Sequence, residues 1–264
     1  MIVHKAIAVF RKDALSAIRY RNGCVLRFFS PAAQLAASYY LAKSVGNEFR
    51  PDGMSYFVFL VIGAGFYTFL IAGAHSLLRV IEESQQNGTL EVLMTTSTRP
   101  AALVSLSAVS AFGGDALEFI VYLIAGAGMA TSGLRINYLG FVTVFVLSAL
   151  IAAAIGLIGA ALQIALHKGS TALWLFGSGA WLLTGTMFPV HVLPAPLRAL
   201  SILVPFTHSL TAMRQALYSV QPGMSPAREI EILSGFAVLM LPASIVLFSW
   251  TVRRARQLGT LSFY

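Results

Sequence analysis

Charged side chains are scarce in this chain. Asp, Glu, Lys and Arg make up 11% of its 264 residues, whereas 57% of the residues are hydrophobic and the mean hydropathy is +0.77. A soluble domain carries about a quarter charged residues, so this composition excludes an ordinary soluble protein and favours a lipid bilayer. The single cysteine, Cys24, excludes an internal disulfide framework.

Motifs for catalysis and nucleotide binding are also absent. The sequence has no G-x-x-x-x-G-K-[ST] phosphate loop, and residues 167–171 (HKGST) have similar letters in the wrong order. Ser178 lies between two glycines, but no histidine of a neighbouring apolar core is placed to act as its base. The histidines lack metal-ligand spacing. We therefore expect no catalytic residue, metal site or cofactor on this chain.

Apolar runs divide the chain into six predicted membrane spans. Each has roughly 20 residues or more, the length that crosses about 30 Å of hydrocarbon, and the third and fourth are longer than one crossing needs. No internal repeat and no second domain is indicated. We predict an all-α integral membrane protein in which residues 1–264 form one transmembrane domain. The predicted spans are 24–42, 54–78, 101–132, 138–166, 172–188 and 233–252.

The first 23 residues have neither the apolar core of a signal peptide nor that of a span. Their apolar residues recur at helical spacing, and their basic residues fall on the opposite face. The pattern predicts an amphipathic helix, residues 1–23, lying in the plane of the lipid headgroups. A leader helix that only anchors the amino terminus has the same geometry.

The distribution of Lys and Arg predicts the orientation. The net charge of +8 comes from basic residues at the ends of apolar runs, where they act as topology signals rather than nucleic-acid ligands. The predicted topology has both termini in the cytoplasm, because it leaves only six of the 18 basic residues outside. Those six are Lys43, Arg50, Arg135, Arg198, Arg214 and Arg228.

A polar segment between the second and third spans is the chain's most informative feature. Two carboxylates would carry the second helix out of the membrane, and an Asn-Gly pair would then break it. A threonine can cap a short new helix with an apolar face. Such a helix fits a groove of a soluble partner, or it lies on lipid headgroups. The candidate contact residues are Glu82, Glu83, Gly88, Thr89, Leu90, Glu91 and Leu93.

The connection between the fifth and sixth spans, residues 188–232, contains six prolines. Its apolar pieces are too short to cross the membrane. Non-helical backbone at membrane depth must be buried in protein or line a wet cavity. We predict an external or re-entrant segment that caps a pathway.

Two of these segments resemble the ABC-2 type permeases, which are membrane subunits of ATP-binding-cassette exporters. Residues 82–93 are similar to the family signature E-E…G-T-L-E-x-L between spans two and three. Residues 188–214 resemble the family's segment before the last span. The residues that carry this second likeness are Pro189, Pro194, Pro205, His208 and Arg214.

The resemblance implies a function for the whole chain. Two six-span halves, as a homodimer or with a related permease, would form the pathway in the plasma (inner) membrane. Residues 82–99 would be the coupling segment that contacts a separate ATPase subunit, which binds the ATP and Mg²⁺. An amphiphilic substrate such as a drug or antibiotic, a lipid or a glycan would leave the cytosol.

Ionisable and aromatic residues inside the spans suggest a pathway and an alternative function. Asp115 and Glu118 lie on one face of the third span, where ionisable groups are costly. They form a structural pair, or they lie near the cytosolic interface because the span begins later, or they form a cation or proton site of an ion-coupled secondary transporter or channel. Aromatic residues either line a path or serve as packing and interface anchors. The aromatic candidates are Phe59, Phe66, Trp174 and Trp181.

Overall fold

The computed structural model describes residues 21–46, 48–86, 100–130, 136–218 and 226–258. Over these ranges the chain is all helical, which confirms the predicted fold class. Short 3₁₀ turns occupy Pro51–Gly53 and Val190–Val192. The α-helices of these ranges are α1 (Arg21–Val45), α2 (Tyr56–Gln86), α3 (Pro100–Met129), α4 (Tyr138–Leu166), α5 (Gly169–Leu183), α6 (Ala195–Leu203), α7 (Pro205–Leu217) and α8 (Ala227–Leu258).

Four of the described helices are long and apolar enough to cross a membrane. They are α2, α3, α4 and α8, and they correspond to the second, third, fourth and sixth predicted spans. The first predicted span forms α1, which has 25 residues with Pro31 inside. The predicted count of six spans therefore stays a prediction for the first and fifth spans. The predicted amphipathic helix lies outside the described residues, except that residues 21–23 begin α1.

The fifth span differs from its predicted limits. Helix α5 has only 15 residues and ends at Leu183, whereas the apolar run continues to Phe188. Gly185 adopts a φ of +73°, a conformation that favours glycine, and the chain turns there. At 1.5 Å per residue α5 is about 22 Å long, shorter than the hydrocarbon layer.

Helix α2 lies at the centre of the bundle and packs against α1, α3, α4, α5 and α7. Phe66 and Leu70 are fully buried, and the Phe66 ring lies 5.3 Å from that of Phe119 on α3. Close approach of α4 depends on a small residue, since a methyl group on Gly156 would lie 2.5 Å from the Ala74 carbonyl oxygen. Such packing through small residues is typical of membrane helices.

The described connections gather at two ends of the bundle. At one end, the Tyr56 hydroxyl donates to the Met187 carbonyl over 3.1 Å, and the Asn137 amide donates to the Ala216 carbonyl over 2.8 Å. The first bond joins the start of α2 to the turn after α5, and the second joins the residue before α4 to the end of α7. These connections therefore lie at the same end of the bundle. At the opposite end, α2, α4 and α8 share a small apolar cluster that includes Ile81. We call the first end the outer end, following the predicted topology.

Candidate functional site

An open cavity of about 530 Å³ lies along α2. Helices α1, α2, α3 and α5 all contribute to its wall. A smaller cavity of about 50 Å³ shares part of this wall and adds Glu118 and Tyr122. We name the larger cavity the polar groove after the polar side chains in its lining, which include Gln34, Thr68, His75, Arg79, Asp115 and Trp181.

The two charged residues of the groove face each other. Arg79 Nη2 lies 3.7 Å from Asp115 Oδ2, and the Asp115 side chain is 16% exposed. Ionisable groups within a span are usually paired, because an isolated charge is costly there. The contact fits the interpretation of Asp115 as a structural residue, and Glu118 shares its face of α3. A role for either carboxylate in transport stays a prediction.

Uncharged polar groups complete the wall of the groove. Gln34 Nε2 donates to Thr68 Oγ1 over 3.3 Å and so joins α1 to α2. His75 Nδ1 lies 2.9 Å from the Ile71 carbonyl. Because a carbonyl only accepts, Nδ1 of His75 donates this hydrogen bond. The groove thus offers donors, acceptors and the indole of Trp181, a combination suited to the polar part of an amphiphile.

The four aromatic candidates divide into two pairs. Phe59 and Phe66 are fully buried in the core, where they pack against other residues rather than line a path in this chain. Trp174 and Trp181 are 66% and 41% exposed on α5, and Trp181 lines the polar groove. Of these four residues, only Trp181 belongs to the groove.

The prolines of the outer segment mark helix starts. Pro189 precedes the turn at Val190–Val192, Pro194 caps α6, and Pro205 is the first residue of α7. Proline suits the first turn of a helix because its nitrogen has no hydrogen to leave unsatisfied. The predicted segment 188–232 therefore contains two short helices at the outer end.

Arg214 on α7 is buried, with only 5% of its surface exposed. Its Nη2 donates to the carbonyls of Gly185 over 2.9 Å and Thr186 over 3.2 Å. Its guanidinium lies 3.6 Å from the ring centre of Phe59. Gly63 leaves room for it, since a methyl group there would lie 2.3 Å from Nη2. Arg214 therefore joins α7, α2 and the turn after α5.

His208 lies on α7 and faces α6 and α8. Its Nδ1 is 2.7 Å from Glu229 Oε2, and its Nε2 is 2.9 Å from the Ile202 carbonyl. Both ring nitrogens face acceptors, so only the protonated ring can donate to both. The hydrogen bond to Glu229 raises the pKa of His208, which burial opposes.

The predicted coupling segment is described only at its beginning. Glu82 and Glu83 lie in the last turns of α2, as predicted, and Glu83 is exposed. The remaining predicted contact residues lie outside the described residues, namely Gly88, Thr89, Leu90, Glu91 and Leu93. Nearby, Gln85 and Gln163 are buried and hydrogen-bonded to each other. No sequence pattern singled out Gln85 or Gln163, although an amide near the end of each apolar helix is a visible signal.

Comparison with known families identifies the chain. The family described as ABC-2 type transporter matches residues 4–218, which is most of the 264 residues. No curated protein matches the chain. The match covers both the coupling segment and the outer motif from which the resemblance was drawn. The chain therefore belongs to the ABC-2 type transporter family and is a multi-pass ABC transporter permease.

Proposed function

We propose that this permease exports an amphiphilic substrate, a drug or antibiotic, a lipid or a glycan, from the cytosol. A separate ATPase subunit hydrolyses the ATP. The permease acts as a homodimer, or with a related permease, in the plasma (inner) membrane with both termini in the cytoplasm. The observation that carries the proposal is the polar groove, which is open and is lined in part by α2 and α3, two of the four helices long and apolar enough to cross a membrane.

The chemistry of the groove supports an amphiphilic cargo. Thr68, His75 and Asp115 supply polar atoms, whereas Ala64 and Ile71 line the same cavity with apolar surface. A ligand with one polar and one apolar part satisfies both kinds of wall, while a purely apolar ligand would leave the polar atoms without partners. The volume of about 530 Å³ lies within the range of small-molecule sites.

The position of the coupling segment supports coupling to an ATPase. Helix α2 is continuous from the groove residues Thr68 and His75 to Gln86, and its last turns contain the start of the predicted coupling segment, residues 82–86. A force applied to residues 87–99 would therefore act on the helix that carries much of the groove wall. Leu90 and Leu93 are three residues apart and can enter one groove of the partner.

The contact between Arg79 and Asp115 gives no support to the ion-coupled alternative. An ion-coupling carboxylate must exchange its counter-ion for the transported ion, and an adjacent guanidinium competes with a cation. We therefore propose only the ATP-driven function.

Coupling can be tested by substituting the two leucines. Burying one leucine is worth about 1.5–3 kcal/mol, so Leu90→Ala with Leu93→Ala should weaken ATPase binding by ~100-fold or more. We expect substrate-stimulated ATP hydrolysis and ATP-dependent export to fall together in proteoliposomes. A matched control is Leu200→Ala with Leu203→Ala, since these leucines have the same spacing and are exposed on α6 at the outer end.

Two results would contradict the proposal. Normal ATPase binding and stimulation in the inserted double variant would place the contact elsewhere, and the basic amino-terminal helix would be the next candidate to test. Uptake driven by a proton gradient without ATP, in vesicles that contain only this chain, would show that the chain is a secondary transporter and not an ATP-driven exporter.

A further inference from the structure

Two buried glutamines join the end of α2 to the turn between α4 and α5. Gln163 Nε2 on α4 donates to Gln85 Oε1 on α2 over 3.3 Å. The Gly169 amide, at the start of α5, donates to Gln163 Oε1 over 2.8 Å. Gln85 and Gln163 are 3% and 5% exposed. We name Gln85, Gln163 and Gly169 the glutamine bridge.

The surroundings of the bridge leave it little freedom to rearrange. A methyl group on Gly169 would lie 2.3 Å from the Gly159 carbonyl oxygen and 2.7 Å from Gln163 Cβ, so α5 starts in direct contact with α4. Ile81 and Ile164 pack in the apolar cluster of the same region. A buried amide without its partner costs free energy, so the bridge favours movement of its three helix ends as a unit.

The bridge connects the two functional regions of the chain. Gln85 is the last but one residue of α2 and lies within the predicted coupling segment, residues 82–99. Gly169 begins α5, which carries Trp181 in the polar groove. Helix α5 is also held to α2 further along, where the Tyr67 hydroxyl donates to the Gly177 carbonyl.

We infer that the glutamine bridge transmits movement of the coupling segment to α5, so that Gln85 and Gln163 are positioning residues of the transport cycle. The inference rests on the proposed function, because it takes residues 82–99, which include Gln85, to contact the ATPase. The bridge adds to that function a route from the ATPase contact to the groove. The route runs from α2 through the Gln163 side chain to α5.

Two substitutions separate transmission from simple packing. In Gln163→Glu, one carboxylate oxygen can still accept from the Gly169 amide. The other can accept from the Gln85 amide, because Gln85 Nε2 has no hydrogen-bond partner in the described structure and the group can rotate. Gln163→Leu has similar volume but can make neither bond. Packing alone favours leucine over a buried charge, whereas the bridge favours glutamate.

The experiment follows α5 directly. Cys24→Ser removes the native thiol, and Ser178→Cys, at an exposed position of α5, carries a bimane fluorophore that reports local polarity. Its emission is recorded with the ATPase subunit present, before and after trapping with ATP and vanadate. ATP-driven export is measured in the same vesicles. Gln257→Leu, at an exposed glutamine of α8, is the matched control.

We expect trapping to shift the emission of the parent protein, the control and Gln163→Glu, and we expect Gln163→Leu to lose the shift. A parental shift in Gln163→Leu, or a larger shift there than in Gln163→Glu, would overturn the inference. No shift in the parent would also overturn it, because α5 would not move. Export by the parent in those vesicles would show that the proposed function had survived.

Folding must be separated from transmission. Each variant is compared for its elution as one species and for co-purification with the ATPase subunit. If Gln163→Leu does not fold, Gln85→Leu takes its place, because it leaves the bond between Gly169 and Gln163 intact and cuts only the link to α2. A parental emission shift in Gln85→Leu would equally overturn the inference.

Discussion

Replacing Arg214 by methionine removes the buried cation that holds the outer end of the bundle together. Methionine keeps a long flexible side chain but has no hydrogen-bond donor. The carbonyls of Gly185 and Thr186 would lose the guanidinium that contacts them at 2.9 and 3.2 Å. The ring of Phe59 would lose the cation above its face.

The size of the loss follows from these contacts. Each buried acceptor left without a donor costs about 1–3 kcal/mol, and a desolvated cation–π contact contributes about 2 kcal/mol. Methionine partly offsets this loss, because folding no longer has to bury a charge. We expect Arg214→Met to lower the free energy of unfolding by about 2–4 kcal/mol.

The assay is reversible unfolding in mixed detergent micelles. Arg198→Met is the matched control, since Arg198 lies in the same outer segment but is exposed and donates one bond, to the Leu193 carbonyl over 3.2 Å. We expect its free energy of unfolding to change by no more than about 0.5 kcal/mol. Gly63→Ala should also destabilise, because its methyl group would meet Arg214 Nη2.

The reasoning also predicts how two changes combine. The methyl group of Gly63→Ala would lie 2.3 Å from Arg214 Nη2 and 2.5 Å from the Thr186 carbonyl oxygen. The part of the cost that comes from the guanidinium is absent in the Arg214→Met background, so Gly63→Ala should cost less there than in the parent protein. If Arg214→Met is as stable as Arg198→Met, the carbonyls of the turn do not depend on the guanidinium. The role assigned to Arg214 would then be refuted.

Topology, the intramembrane carboxylates and the outer histidine can each be tested separately. Single cysteines at Thr95 and Asp52 should react from the cytosolic and the outer side respectively, and labelling of position 52 only from the cytosol would refute the six-span topology. Asp115→Asn and Glu118→Gln should reduce stability while transport per folded molecule stays nearly constant, and loss of an ion-gradient dependence would show ion coupling instead. Because the pKa of His208 is raised, its stabilising effect is present below the unfolded value of about 6.5 and is lost as pH rises through the folded pKa. Unfolding measured against pH should therefore show His208→Gln less stable than the parent at acidic pH, and a gap that persists above the folded pKa would contradict this.

Hydrophobic runs predicted a helix well where the helix begins and ends at the same residues as the apolar run. The predicted fourth span, 138–166, coincides with α4, because Asn137 caps the start with a 3.0 Å bond to the Gly140 amide. The fifth span was misplaced because Met187 and Phe188 are apolar although the helix has already ended. Composition cannot detect the end of a helix within an apolar run, whereas the positive φ of Gly185 marks the turn that follows α5.

Sequence patterns could not predict contacts between residues that are far apart in the chain. Arg79 and Asp115 lie on different helices, and no local spacing links them. Arg214 was counted among the outer charges that set topology, yet the structure buries it as a hydrogen-bond donor within the outer segment. A single basic residue looks the same in sequence whether water or carbonyl groups surround it. The motif that contains Arg214 indicated only that its segment resembles the segment before the last span in ABC-2 type permeases.

Helix α2 connects every region to which a function has been assigned. Phe59 near its outer end contacts Arg214, Thr68 and His75 line the groove, and Gln85 at its other end belongs to the glutamine bridge. It is also the most completely buried of the four long apolar helices and packs against five neighbours. A helix packed on so many sides cannot slide alone, because densely packed interiors resist continuous deformation. Movement of α2 is therefore expected to involve its neighbours, and the glutamine bridge adds the start of α5 to the parts that move with the end of α2.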